Sequence, residues 1–96
     1  MSTYAEILLH REAIHRIVAL HKSHNPRLFG SVVNGQPGSD SDVDLLVDPL
    51  PGATLLDIVR MEQQLQRETG LPFEVTTPLA LPQQWREQVV QQAVAL

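Results

Sequence analysis

The sequence contains no cysteine, a single lysine (Lys22), and no apolar run near the roughly 18 residues that a membrane-spanning helix needs. Without cysteine there is no disulfide framework, no thiolate metal site and no cysteine nucleophile, a composition that suits a reducing compartment. The amino-terminal stretch "MSTYAEILLHREAIHR" lacks both the basic start and the uninterrupted apolar core of a secretion signal. A cytoplasmic chain with no membrane attachment is therefore expected. Seven Lys and Arg stand against 11 Asp and Glu, a net charge of −4. Affinity for long nucleic acid depends on clustered Lys and Arg that neutralise phosphates, so that class of partner is excluded from the expectation.

What is present fits one folded unit. Hydrophobic residues make up 43% and charged residues 19% of 96 residues, ordinary proportions for a globular chain of a length that builds one core and no second lobe. A single domain over residues 1–96 is expected. Thr3 and Glu6 have capping-box spacing, and Ile7, Ile14, Ile17, Val18 and His21 recur at helical intervals, which predicts one helix over Thr3–Ser23, stopped by Asn25-Pro26. "RLFGSV" reads as a strand, "NGQPGSDS" as a loop of turn formers and "DVDLLV" as a second strand. Beyond the loop "DPLPG", Thr54 with Asp57 opens a second helix with an apolar stripe of Leu55, Ile58, Val59 and Leu65, and Gly70 closes it. "PFEVTT" is a third strand. "QQWREQVVQQAVAL" is a last helix carrying Trp85, Val89 and Ala93 on one face, assigned to the core in preference to a partner surface. The fold class is α/β (α+β), a short mixed sheet of about three strands packed with three helices.

Three motifs come close to known sites and fail on chemistry. "GSVVNG" has the glycine spacing of a phosphate-binding Walker loop, but Gln36 and Pro37 stand where Lys and Ser or Thr must follow. Asp40, Asp42 and Asp44 imitate the first ligands of a calcium-binding EF-hand loop, yet Leu45 replaces its glycine and Pro51 its final glutamate. His10 and His15 are five residues apart, one more than two imidazoles need to share a zinc ion on a helix.

The constellation that does carry chemistry is "FGSVVNGQPGSDSDVDLLV", Phe29 to Val47. Side chains alternate across a strand, so Asp42 and Asp44 project to one face while Val43, Leu45 and Val47 enter the core. Two carboxylates on one face repel, and a divalent cation relieves them. Oxygen-only ligands favour Mg²⁺ or Mn²⁺, and magnesium is readily shared with substrate phosphates. Ahead of the acids, Gly30 allows the backbone to approach an anion and Ser31 offers a hydroxyl. The alternative is a strand whose aspartates are merely solvated and whose glycines serve turns.

Gly30-Ser31, Gly35 and Ser41-Asp42-Val43-Asp44, in that order and spacing, resemble the nucleotidyltransferase pattern, and the chain is similar throughout to the minimal nucleotidyltransferases of the DNA polymerase beta-like superfamily. The resemblance implies that Asp42 and Asp44 hold Mg²⁺ (or Mn²⁺), that Gly30, Ser31 and Ser41 bind the nucleotide, and that a third carboxylate from a later strand completes the metal site and activates the acceptor. Glu74 in "PFEVTT" is that candidate; Glu62 and Glu68, on a helix, are weaker ones. Two positions depart from the family pattern: Asn34 stands where Arg is often found, and Glu74 is one methylene longer than the usual Asp. The implied activity is transfer of AMP from ATP to a tyrosine hydroxyl of a HEPN-type ribonuclease toxin, with the chain as antitoxin in a hetero-oligomer, a homodimer being the second option. Two alternatives stay open, a module that neutralises its partner by contact alone and a nucleotidyltransferase acting on a small molecule.

Overall fold

The computed structural model describes residues 3–34 and 42–96. Within them the chain runs α1 (Tyr4–Leu8), α2 (Arg11–Leu20), β1 (Ser23–Phe29), α3 (Ser31–Asn34), β2 (Val43–Pro49), α4 (Leu55–Thr69), β3 (Phe73–Thr76), a 3-10 turn (Pro78–Ala80), α5 (Gln83–Gln92) and β4 (Val94–Ala95). The strands form one sheet of order β3-β2-β1-β4, antiparallel except where α4 crosses over to set β3 parallel to β2. The expected mixed sheet is thus present with a fourth strand. β4 pairs Val94 with Leu28 and Ala95 with Arg27, and two residues directly after a helix are too few to reveal a strand by alternation.

The single helix expected over Thr3–Ser23 is two. Thr3 Oγ1 accepts the Glu6 amide at 3.1 Å and opens α1; the ladder restarts at the His10 carbonyl, which accepts the Ile14 amide at 2.8 Å. Asn25-Pro26 does not stop this helix, which ends at Leu20. The pair lies inside β1, where the register shifts between His24 and Arg27. Asn25 takes a φ of 54°, a left-handed conformation that Asn tolerates, and proline is accommodated at such a bulge because no ladder bond is lost. β1 consequently begins before the predicted strand and stops at Phe29, where Gly30 turns the chain and α3 replaces the predicted strand end.

α4 carries the complete capping box read from Thr54 and Asp57: the Asp57 carboxylate accepts the Thr54 amide at 2.8 Å, and Thr54 Oγ1 accepts the Asp57 amide at 3.4 Å. Its buried stripe differs from the predicted one. Met61 and Leu65 are buried and Ile58 packs on the core, whereas Leu55 and Val59 face out. Gly70 ends the helix with a φ of 73° and open space where a side chain would be. Gly70→Ala is therefore expected to cost only the left-handed strain of a Cβ, about 1–2 kcal/mol, read as a lower urea midpoint with unchanged slope.

One face of the sheet is the core. Ile7, Ile14, Ile17 and Val18 from α1 and α2, and Met61 and Leu65 from α4, pack on Leu28, Val43, Leu45, Val47, Phe73 and Val75. α4 also finishes the outer side of β3: Glu62 Oε1 accepts the Val75 amide at 2.9 Å, and Gln66 Nε2 donates to the Phe73 carbonyl at 2.8 Å. α5 buries no residue. Trp85, expected in the core, is 58% exposed; helical spacing marks a common face without saying what covers it. Arg86 holds the helix in place by donating to the carbonyls of Pro78 at 2.7 Å, Leu79 at 3.3 Å and Leu81 at 3.1 Å.

Candidate active site

Asp44 lies on the face of the sheet opposite Val43 and Leu45, near the start of β2. On β2 it is paired with Phe29 of β1 on one side and Glu74 of β3 on the other. The crossover through α4 thus brings Asp44 and Glu74 side by side from 30 positions apart, at the ~4.8 Å spacing of neighbouring strands. Val43 and Leu45, which alternate with the acids, are buried in the core; the apolar positions fix which way Asp44 points. Asp42 stands immediately before β2, near enough to Glu74 and Asp44 for its carboxyl to act on both. The sheet thus sets Asp44 and Glu74 side by side, with Asp42 at the entry to β2.

Their electrostatics agree with that geometry. The Asp42 carboxyl pushes the Glu74 carboxyl above its ordinary range, and partial burial and the charges of Asp44, Asp42 and Glu62 act in the same sense. Asp44 is likewise raised, by burial first and then by the charge of Asp42. Both carboxyls bind a proton more tightly in the fold than in the unfolded chain, so ionising them costs stability as pH rises through their raised values.

The glycine-serine turn closes on Asp44. Gly30 has a φ of 77°, and a Cβ built there would fall on Oδ2 of Asp44. Only glycine lets the backbone pass so near the carboxylate. The Gly30 carbonyl accepts the amides of Val33 and Asn34, each at 3.1 Å, winding α3 and placing Ser31 at its first position. Asn34 is the exposed last residue of α3. Gly35 and Ser41, also singled out in the sequence, lie outside the described residues.

Asp42, Asp44, Glu74 and the Ser31 hydroxyl offer oxygen donors alone, the set that suits a hard divalent cation. Among the described residues no three His, Cys, Asp or Glu side chains stand together closely enough to hold a metal ion by themselves. An open rim of acids fits magnesium, which retains waters and takes further ligands from phosphates. Of the histidines, His21 is engaged elsewhere, its Nε2 within 2.6 Å of Gln64 Oε1. Of the weaker acidic candidates, Glu62 accepts from the β3 backbone and adds its charge near Glu74, while Glu68 pairs with Arg16 at 2.7 Å away from the group.

The sequence reading missed the Arg27–Asp48 pair on this same face. Asp48 follows Asp44 by two strand steps, and its Oδ1 meets Arg27 at 2.6 Å, with Asn25 donating to Oδ2 at 3.0 Å. Strand alternation carried past Leu46 puts Asp48 on the same face as Asp44 and would have flagged it. Burial raises the Asp48 pKa, but the hydrogen bonds from Asn25 and Arg27 and the charges of Arg27 and His24 outweigh this, and the net shift is downward from the ordinary 3.8. A depressed folded value means a contribution fully present above the ordinary value and lost as pH falls through the depressed one. Arg27 is only 12% exposed and its buried Nε has no partner, so removal of Asp48 strands a largely buried charge. Asp48→Ala is expected to cost about 2–3 kcal/mol at neutral pH, and the gap between variant and parent in urea melts should shrink as pH falls below 3.8.

The profile of the family described as polymerase beta, nucleotidyltransferase, matches residues 9–96. A Methanocaldococcus jannaschii protein named as a predicted protein adenylyltransferase is 28% identical over 78 residues, which span 81% of this chain and 84% of that one. The protein adenylyltransferase MntA of Thermococcus cleftensis is 37% identical over 54 residues, 56% of this chain and 54% of the relative. Among solved structures, one described as a predicted minimal nucleotidyltransferase superposes with a TM-score of 0.85 at 35% identity, covering 99% of this chain and 97% of its own. A toxin–antitoxin complex with AMP-PNP contains a chain of the same fold, with a TM-score of 0.70 at 20% identity over 88% of this chain and 69% of that one.

Proposed function

This chain belongs to the polymerase beta nucleotidyltransferase family, and from that premise we propose that it transfers AMP from ATP to a hydroxyl group of a toxin partner, a HEPN-type ribonuclease modified on tyrosine, and so acts as its antitoxin. The observation that carries the proposal is the Gly30 backbone lying against Asp44 while Glu74 flanks the same carboxylate. A triphosphate entering there meets a turn that accepts an anion on one side and metal-holding acids on the other. The naming of two relatives as protein adenylyltransferases supports AMP and a protein acceptor.

Asp42, Asp44 and Glu74 are the residues to hold Mg²⁺ or Mn²⁺. When bound, the ion supplies charge neutralisation of the triphosphate and polarisation of its α-phosphate. The chain's own residues do the rest. Gly30 and Ser31 receive the terminal phosphates and hold the nucleotide so that its α-phosphorus faces the acids; Ser41 belongs to the same binding role. Glu74, set beside Asp44 by the sheet, is the residue to take the proton of the incoming hydroxyl. The acceptor oxygen forms a bond to the α-phosphorus, the bond between α-phosphorus and its bridging oxygen breaks, and pyrophosphate leaves with that oxygen. Positioning and electrostatics carry the rate, with no covalent intermediate on the protein.

The test is incubation of the purified chain with Mg²⁺, ATP labelled at the α-phosphate and the protein encoded beside its gene. Label on the partner, with a mass gain of one or more AMP units on a tyrosine-containing peptide, is the expected result. A folded chain that binds its partner and protects against it without any label would replace this reading with neutralisation by contact. Within the same assay Glu74→Gln is expected to reduce transfer by roughly 100-fold, and persistence of protection in that variant would separate protection from chemistry.

A further inference from the structure

A cleft of about 300 Å³ runs between α3 and α5, and Gly30 forms one end of it. The same glycine touches the catalytic acids through Asp44, so the cleft opens directly off the place assigned to the phosphates. We infer that this cleft receives the base of the nucleotide, adenine in preference to guanine, stacked on Trp85; the inference rests on the nucleotide reading above and adds its recognition element.

The walls support a flat, neutral, aromatic occupant. Trp85, Gln88, Val89 and Gln92 line one wall, positions 0, 3, 4 and 7 along α5 and hence a single helical face. Trp85 leaves 58% of its surface open, and an indole ring presented to solvent beside a phosphate site is a stacking platform for any base. Among the described residues no ionised side chain lines the cleft, and the polar groups that do are the amides of Asn34, Gln88 and Gln92. An amide offers a donor and an acceptor side by side, the complement of the adenine edge, whereas guanine is best met by Arg or Lys on one edge and by a carboxylate on its amino group. The volume lies at the small end of ligand pockets, fitting a base and leaving the ribose and phosphates to run toward Gly30. A partner helix would need a longer groove with several successive anchors.

The position of α5 is set independently of any ligand. Arg86 ties it to the 3-10 turn through three carbonyls, and β4, which follows it, pairs with β1. The platform is therefore preformed. Because Trp85 is the single tryptophan of the chain, its emission reports on the cleft without labelling.

The experiment titrates the full chain in Mg²⁺ with ATP, GTP and inorganic triphosphate, following Trp85 emission and measuring affinity by calorimetry. ATP and triphosphate should both bind, only ATP should quench emission, and ATP should bind more tightly than GTP. Trp85→Ala should weaken ATP by about 10- to 100-fold while leaving triphosphate unchanged, and Trp85→Phe should retain most of the affinity. Gln88→Ala combined with Gln92→Ala should narrow the difference between ATP and GTP. Binding of ATP with unaltered emission and undiminished affinity in Trp85→Ala would overturn the inference and leave nucleotidyl transfer standing. Equal affinities for ATP and triphosphate would overturn it too, and equal affinities for ATP and GTP would overturn the adenine preference. If neither ATP nor triphosphate binds, the transfer reading and this inference fail together.

Discussion

Asp44→Asn is expected to lower AMP transfer by at least about 100-fold while raising the melting temperature by a few degrees in magnesium-free buffer. The two effects have one origin. Asp44 sits between Phe29 and Glu74 on the sheet, partly buried and next to Asp42, an arrangement in which an ionised carboxylate is unfavourable until a cation joins it. Asparagine keeps the shape and removes the charge, so the fold gains what the site loses, the usual exchange between stability and activity at a catalytic centre. Added Mg²⁺ should raise the melting temperature of the parent chain and have a much smaller effect on the variant, since a ligand stabilises only the state that binds it. Calorimetric melts with and without the ion read both signs. A lower melting temperature for Asp44→Asn in the absence of metal, or transfer persisting in both Asp42→Asn and Asp44→Asn, would show that these acids are not the metal-holding pair.

Among the glycines that the structure describes, Gly30 is expected to tolerate an added methyl group least. The left-handed φ of 77° at Gly30 is strained for any other residue, costing about 1–2 kcal/mol, and the new Cβ must also displace the Asp44 carboxylate. Displacement of a reacting group by an ångström can cost on the order of 100-fold in rate, so transfer should fall by at least that factor even in the fraction that folds. Gly70→Ala supplies the internal control. Its φ of 73° is nearly the same, but nothing lies within 4 Å of the added Cβ, so it carries the strain without the collision. The difference between the two variants in denaturation free energy isolates the contact with Asp44, and only Gly30→Ala should impair transfer. Equal stability losses with intact activity in both would mean that the turn does not press on the acid.

How much of this was legible beforehand follows from what each pattern depends on. The Thr54–Asp57 cap and Gly70 stop are local devices, decided within a few residues, and α4 begins and ends where they place it. The acids were legible because strand alternation separates Asp42 and Asp44 from Val43 and Leu45, and the resemblance pointed to Glu74 before its place beside Asp44 was known. The helical break at Leu9 and His10 was not legible, since the apolar positions Ile7, Ile14, Ile17 and Val18 keep helical spacing across it. Asn25-Pro26 was misread because the pair that commonly stops helices also builds strand bulges, and only the neighbouring strand β2 decides between them. Trp85 was misplaced for a related reason. A common helical face shows that residues act together, but whether they meet the core or a cleft depends on where Arg86 and β4 anchor the helix.

The side chains of Glu62 and Gln66, by taking up the Val75 amide and the Phe73 carbonyl, have a consequence for how the molecule behaves in a crowd. β3 is an outermost strand, and an outermost strand with free main-chain groups invites a stranger to extend the sheet. Here the helix above it already occupies two of those groups, and the opposite margin, β4, is two residues long. A strand added at the β3 border would first have to break these two bonds, so that margin is the guarded one.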